Sequence, residues 1–292
     1  MSNTTVVYPI VTALVKAEEI IGSQRAWQSA NHTQELFLQE LFVPYREESG
    51  SIAEIESIAA FTADDINRFL RERGFSVKLK PFQQDGHGRE FGVASVLDLL
   101  VSWLRPGTET TLTGQDKREY PAAHLPKAGC SFSQAEGHQY PIARLSTNSS
   151  TAVYLTRLDQ PARDFELLNL ARHLASSLKP IYDYDGVILP MVDLTQEVDI
   201  SWLIDLSTSD KAGRSVKIAQ AIQETHLALN PKGARAKSGV AMGVRVGAAM
   251  MLPKPDLLID GPFLIWFERP ELSVPLFVGY ITEADWKNPG EL

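Results

Sequence analysis

The chain has 292 residues and a mass of 32.3 kDa, long enough to bury one large core or two ordinary ones. Its 44% hydrophobic and 22% charged content is that of an ordinary globular protein and excludes disordered, collagenous and coiled-coil classes. A net charge of -8 with no basic block predicts neither nucleic acid nor an anionic membrane as partner, and the single cysteine, Cys130, excludes an internal disulfide framework or a multi-cysteine metal site.

In chain order, the apolar run Val6–Val15 has no basic residue ahead of it and is followed at once by Lys16, Glu18 and Glu19. It is expected to be ordinary structure rather than a signal peptide, and the expected compartment is the cytoplasm. Leu14, Ala17, Ile20 and Ile21 recur at helical spacing, and so do Leu36, Phe37, Leu41 and Phe42 after the polar start at 31–33. Ser51 and Glu54 form a capping-box pair that predicts a helix over Ser51–Ala60. Thr62 is placed to cap a further helix that buries Ile66, Phe69 and Leu70, with Gly74 to stop it.

Beyond residue 83 the texture changes to strands separated by turn clusters at 84–88, Gly107, Gly114 and 183–186. The expected strands are Phe91–Val101, His138–Leu145, Ser150–Leu158, Val187–Leu194, Ala221–Leu229, Pro262–Arg269 and Val274–Ile281. One helix interrupts them, Phe165–Leu178, with Asp164 as its cap and an apolar stripe of Phe165, Leu168, Ala171, Leu174 and Leu178. Helices segregated from strands predict an α+β fold, not an alternating βαβ layout. The expected organisation is a helical part over residues 1–82 and a β-rich core over 83–292 within one cooperative domain.

The usual signatures of catalysis are missing: no nucleophile elbow, no His-Glu-x-x-His, no phosphate loop and no Cys-x-x-Cys. Gly86-His87-Gly88 with Gly92 has the wrong spacing for a dinucleotide fingerprint and reads as a turn. His32, His87, His124, His138, His173 and His226 show no ligand spacing, and Cys130 has no basic neighbour in sequence to activate it. The expectation is a protein that is not an enzyme, with no cofactor and no metal.

The unusual stretch is 232–252, KGARAKSGVAMGVRVGAAMML, rich in glycine and alanine and free of proline until Pro253. With period two, Ala234, Ala236, Ser238, Val240, Met242, Val244 and Val246 share one face, so the tract can pair as a strand with a small apolar face. Its glycines make it a poor obligate strand. A flexible Gly/Ala loop or a bulged core strand has the same composition.

The order of motifs from here resembles the serpin family. Val216–Gly233, VKIAQAIQETHLALNPKG, is similar to the family's strand leading into its reactive-loop hinge, with Asn230 and Gly233 matching, while Pro231-Lys232 and Ala234-Arg235 depart from the hinge pattern. Gly261-Pro262-Phe263-Leu264-Ile265 resembles the Pro-Phe strand, and Leu276-Phe277-Val278-Gly279-Tyr280-Ile281 with Asn288-Pro289 resembles the closing run. Upstream, Tyr120–Arg144 is similar to a further family run, with Ala123, Gly129, Phe132 and Leu145 in register; Ser150–Leu155, Phe165–Leu178 and Leu189–Asp193 follow in family order. The resemblance covers about residues 90–290. The family's Asn-x-x-x-Ser-Pro-x-Ser signature is absent and residues 1–82 do not align, which suggests a truncated or divergent relative. Trp103 either matches the family's tryptophan at the top of the central sheet or belongs to the core.

The resemblance implies a serpin-like α+β fold with mixed β-sheets and helices gathered mainly in the N-terminal part. Gly233, Ala234, Ala236, Ser238, Val240 and Met242 become the hinge and insertion face, and Arg245, Val246, Gly247 and Ala248 the candidate bait residues. Two functions are compatible with it. One is a non-catalytic protein that captures an extended peptide or protein by strand addition at an open sheet, for instance a precursor peptide in a bacterial peptide biosynthetic pathway. The other is a serine protease inhibitor whose loop lies around Lys232–Leu252, with Arg245 suiting a trypsin-like protease.

Overall fold

The computed structural model describes residues 1–22, 26–82, 89–162, 164–234 and 254–292. In chain order the first elements are β1 (Asn3–Thr5), α1 (Val7–Ile21), α2 (His32–Phe37), α3 (Val43–Ser49), β2 (Ile55–Ala60), α4 (Ala63–Glu72) and β3 (Arg89–Leu97). There follow β4 (Val101–Ser102), β5 (Thr108–Thr113), β6 (Glu119–Pro126), β7 (Cys130–Gln134), β8 (Ile142–Leu145), β9 (Ala152–Arg157) and α5 (Asp164–Ser176). The chain continues through β10 (Lys179–Ile181), β11 (Gly186–Pro190), β12 (Val192–Val198), β13 (Ser207–Ser209), β14 (Ser215–Ala221) and β15 (Gln223–Asn230). The last strands are β16 (Gly233–Ala234), β17 (Leu257–Leu258), β18 (Phe263–Glu268) and β19 (Phe277–Ile281). The fold is α+β, with four of the α-helices ahead of residue 73.

The chain forms two compact units. The first comprises Met1–Thr5, Leu99–Leu194 and His226–Leu292, and the second Val6–Asp98 and Thr195–Thr225. In the first, a seven-stranded sheet of order β1-β19-β18-β9-β8-β7-β10 is antiparallel throughout, and a four-stranded sheet has the order β17-β11-β6-β5. β18 (FLIWFE) and β19 (FVGYI) are continuous apolar runs and buried along almost their whole length, as strands covered on both faces must be. In the second unit the order is β13-β14-β3-β2, with β14 and β3 running parallel. A further four-stranded sheet has the order β12-β15-β16-β4.

The helices follow local rules. α1 buries Val7, Ile10, Val11, Leu14, Ala17 and Ile21, and ends where Gly22 turns left-handed at φ 65. The Asn31 side chain caps α2 by accepting from the Gln34 amide, and Thr62 caps α4 by accepting from Asp65. Between α2 and α3 the chain widens into a π-turn at Leu38–Phe42, two residues before Pro44, which has no N–H to give to the Glu40 carbonyl.

Four expectations are corrected. Ser51–Ala60 is not a helix: the Ser51 hydroxyl bonds back to the Glu48 carbonyl, and Ile55–Ala60 pairs with β3 from Ile55↔Leu97 to Ala60↔Gly92. Here a six-residue strand partner outweighs a local capping signal. The strand expected over Phe91–Val101 is interrupted between β3 and β4, and the one over Val187–Leu194 is divided at Met191 into β11 and β12. In His138–Leu145 only Ile142–Leu145 is extended, because Gly137 turns left-handed at φ 73 and the His138 amide closes a turn onto Ala135.

Candidate functional site

Gly233 and Ala234, at the start of the Gly/Ala tract, lie in a sheet. Asn230 and Gly233 face each other across the tight Pro231-Lys232 reversal, with Leu229 opposite Ala234. On its other side β16 pairs antiparallel with β4, Gly233 with Ser102 and Ala234 with Val101. Two residues of the tract are thus wedged between β15 and β4, and Ala234 is fully buried. A Cβ at Gly233 would fall against the Val101 carbonyl oxygen and Ser102 Cα, so the absence of a side chain there is what lets the strands approach.

The reversal is held from several directions. Asn230 Oδ1 accepts the Lys232 amide at 2.8 Å, an Asx-type bracing of the turn. The Trp103 amide donates to the Lys232 carbonyl at 3.1 Å and the Gly107 amide to the Pro231 carbonyl at 2.8 Å. The Trp103 ring is buried, and its Nε1–H donates to the Asn230 carbonyl at 3.0 Å, while Asn230 Nδ2 donates to the Gly290 carbonyl at 2.9 Å. Behind Trp103, Asn148 gives its amide to Ser102 and its side-chain N–H to the Trp103 carbonyl. Trp103 is therefore both a core residue and the tie across the seat.

Of the tract residues singled out in the sequence, the structure brings Gly233 and Ala234 together with Asn230 and Trp103. Ala236, Ser238, Val240, Met242, Arg245, Val246, Gly247 and Ala248 lie outside the described residues.

The strands flanking the seat continue in sequence into the second unit, β4 backward into β3 and β15 backward into β14. There β14 and β3 are bonded directly to each other, from Val216↔Arg89 to Ala221↔Val93, with a register irregularity between Ile218 and Gln220. The same two stretches of chain are thus paired directly in one unit and held apart by β16 in the other. Sequence reading missed this seam, because the pairing of 89–93 with 216–221 is parallel and non-local.

The Cys130 thiol is pushed up to about 12, chiefly by burial and also by the Asp256 carboxylate, which makes it a poor nucleophile. His124 Nε2 lies 3.3 Å from Asp256. Burial lowers the pKa of His138, whose Nε2 lies 2.9 Å from the Thr156 hydroxyl. Among the described residues no group of three or more His, Cys, Asp or Glu is placed to hold a metal. No helix among them is long and apolar enough to cross a membrane.

In the first unit a cleft of about 510 Å³ is lined by Arg144, Tyr154, Arg172, Glu268, Arg269 and Val274, among others. Its Tyr154 ring stacks on Trp266 at 5.1 Å with the planes 9° apart. Burial raises the Glu268 carboxyl, an effect opposed by the Trp266 indole N–H that it accepts.

No protein-family model matches the chain, and no curated protein matches it in sequence. Solved structures do match. Serpin48, a highly specific serpin of the insect Tenebrio molitor, aligns with a TM-score of 0.58 at 14% identity over 96% of this chain and 91% of its own. A serpin from the trematode Schistosoma haematobium gives 0.61 at 14% identity, over 96% and 93%. Human thyroxine-binding globulin in its hormone complex gives 0.59 at 12% identity, over 99% and 93%. The chain therefore has a serpin-like fold. Since the likeness takes in 96% of the chain or more, it extends ahead of residue 90, where the sequence resemblance begins.

Proposed function

We propose that the protein is a non-catalytic binding protein that captures an extended polypeptide by strand addition between the stretches 89–102 and 215–230. One observation carries this reading: two tract residues, Gly233 and Ala234, are already accommodated as a strand between β15 and β4. Below them in sequence β14 and β3 run parallel and are bonded to each other, so a third strand antiparallel to both would gain donors and acceptors on each side only once that pairing opens. The serpin-like fold is compatible with the reading, since the neighbours are named as two serpins and a thyroxine-binding globulin. A precursor peptide in a biosynthetic pathway is one extended ligand of the required kind, and the cytoplasm is the proposed compartment.

The test uses a synthetic peptide spanning residues 234–246. It should raise the melting temperature in a concentration-dependent way, by mass action on the folded state. The same peptide carrying Ala236→Pro and Val240→Pro should not, because proline removes ladder donors. Equal effects of both peptides, or none of either, would remove the reading.

The second reading is a serpin-type protease inhibitor, favoured by the fact that the seat is filled by the chain's own hinge residues. It requires an SDS-stable complex with a trypsin-like protease that Arg245→Ala abolishes. A narrower reading, carriage of a small ligand in the cleft, is prompted by the thyroxine complex among the neighbours. Thyroxine itself is the probe, and an unchanged melting curve at saturating hormone rejects that hormone as the ligand.

A further inference from the structure

In the first unit the sheet of order β17-β11-β6-β5 ends on β5, and among the described residues no strand pairs with the outer edge of β5. Which of its backbone groups face outward follows from its inner neighbour. Pro121 of β6, the register partner of Thr111, has no N–H to give, and its carbonyl accepts the Met191 amide at 2.9 Å on the side of β6 away from β5. Thr111 and Pro121 are therefore a pair that exchanges no hydrogen bond, and the bonded pairs are Thr108 with His124, Thr110 with Ala122 and Leu112 with Tyr120. The Gly114 amide, next in that phase, donates to the Arg118 carbonyl at 2.9 Å, as the alternation requires. The N–H and C=O groups of Glu109, Thr111 and Thr113 are thus left pointing out of the sheet edge. Gly107, in the same outward phase, marks where this free edge begins, since its amide is taken by the Pro231 carbonyl at 2.8 Å.

Sheet edges are ordinarily kept short or blunted with lysine, proline or a bulge. Two edges of this unit follow that rule: β10 has three residues, among them Lys179 and Pro180, and β17 has two. β5, TETTLT, does not. It is six residues long, keeps an unbroken register from Thr108 to Thr113, and contains no proline, glycine or basic residue. Leu112 is buried, while Glu109, Thr111 and Thr113 are exposed. The edge is also complementary to itself. Of the antiparallel registers that set the outward groups of two copies face to face, only the one centred on Thr111 uses all three residues. Thr111 then faces Thr111 and Glu109 faces Thr113, which makes six backbone hydrogen bonds. Each Glu109 carboxylate lies opposite a threonine rather than opposite its like. The net charge of -8 on each copy opposes the association, as does Glu119 beside Thr113, and both repulsions are screened by salt.

We propose that the outer edge of β5 is a self-association surface on which a second copy of this chain pairs antiparallel, Thr111 against Thr111. The surface stands independently of the strand-addition reading of the seam. Six backbone bonds along a short edge make a weak, concentration-dependent dimer. Sedimentation from micromolar to millimolar protein should show the mass rising from one chain of 32.3 kDa toward two, more readily at high salt. In amide exchange, Glu109, Thr111 and Thr113 should gain protection as the concentration rises, while Thr110 and Leu112, already bonded to β6, should not change. Thr111→Pro removes an outward N–H that bonds nothing within the sheet, a position where an edge strand tolerates proline. Thr111→Glu keeps that N–H but sets two carboxylates opposite each other at the twofold, and it tests the same edge if proline unsettles the strand. Each variant should weaken self-association by at least about tenfold and leave the melting temperature of dilute protein nearly unchanged. A mass of one chain at every concentration would overturn the proposal. So would dimers that both variants form as readily, or dimers in which Glu109, Thr111 and Thr113 stay unprotected. Protection of those three amides by the 234–246 peptide at an unchanged mass would put a foreign strand on this edge and overturn self-pairing as well.

Discussion

The Trp103 indole donates to the main-chain carbonyl of Asn230 at 3.0 Å, joining the end of β4 to the end of β15 although β16 lies between them. A tie of that kind fixes the width of the seat. It holds the two edges at the separation of two ladder spacings, where a third strand fits and a direct pairing does not.

Replacing Trp103 by Phe keeps an aromatic ring in the pocket but leaves the buried Asn230 carbonyl without its indole donor. The expected loss of stability is about 1–2 kcal/mol in urea melts, with faster exchange at the Trp103 amide that reaches Lys232. A cost confined to packing, with unchanged exchange there, would mean that the indole does not set the width.

Gly233→Val places a branched side chain against the Val101 carbonyl, a backbone group with nowhere to move. The seated strand should be expelled at a cost of about 1–3 kcal/mol. The signature is lost protection of the Trp103 amide with little change in β18 and β19, which belong to another sheet. Retained protection would show that the close approach is not required.

His138 gives a pH dependence whose sign follows from its burial. Its folded pKa lies below the unfolded value near 6.5, so the unfolded chain binds more protons in the window between the two. Stability should rise as pH increases through that window, by at most about 1.4 kcal/mol per pH unit, and be flat above it. His138→Gln should remove that part of the slope. A wild-type profile that falls as pH rises through the window would contradict the assignment.

Cys130, with its thiol near 12, should react sluggishly with a thiolate-specific reagent at pH 8. Relative to an ordinary exposed thiol the thiolate fraction is lower by on the order of a thousandfold. Labelling at the ordinary rate should appear only once the chain is unfolded in denaturant. Native labelling at that ordinary rate would show the thiol to be accessible and normal.

Of the tract, only Gly233 and Ala234 fall within the described residues, and the signals at that point are local. Asn230 ahead of Pro231-Lys232-Gly233 is a turn with its own bracing group, and alanine after glycine is what a close-packed added strand needs. Residues 75–80 alternate in FSVKLK, but the groups that hold this stretch are remote in sequence: Glu224 is 148 residues from Ser76. The helix expected at Ser51–Ala60 fails for a related reason. A capping box is a property of four residues, whereas Ile55–Ala60 answers to a partner at 92–97 that no local pattern announces. The seam between β14 and β3 is likewise a parallel, non-local pairing, visible only when residues 89 and 216 are brought opposite each other.

The most direct test is amide exchange across 89–102 and 215–230 with and without the 234–246 peptide. If vacant or vacatable ladder positions are the binding element, both stretches gain protection together at peptide concentrations that raise the melting temperature. Binding that protects neither stretch, or only one of them, would contradict the account.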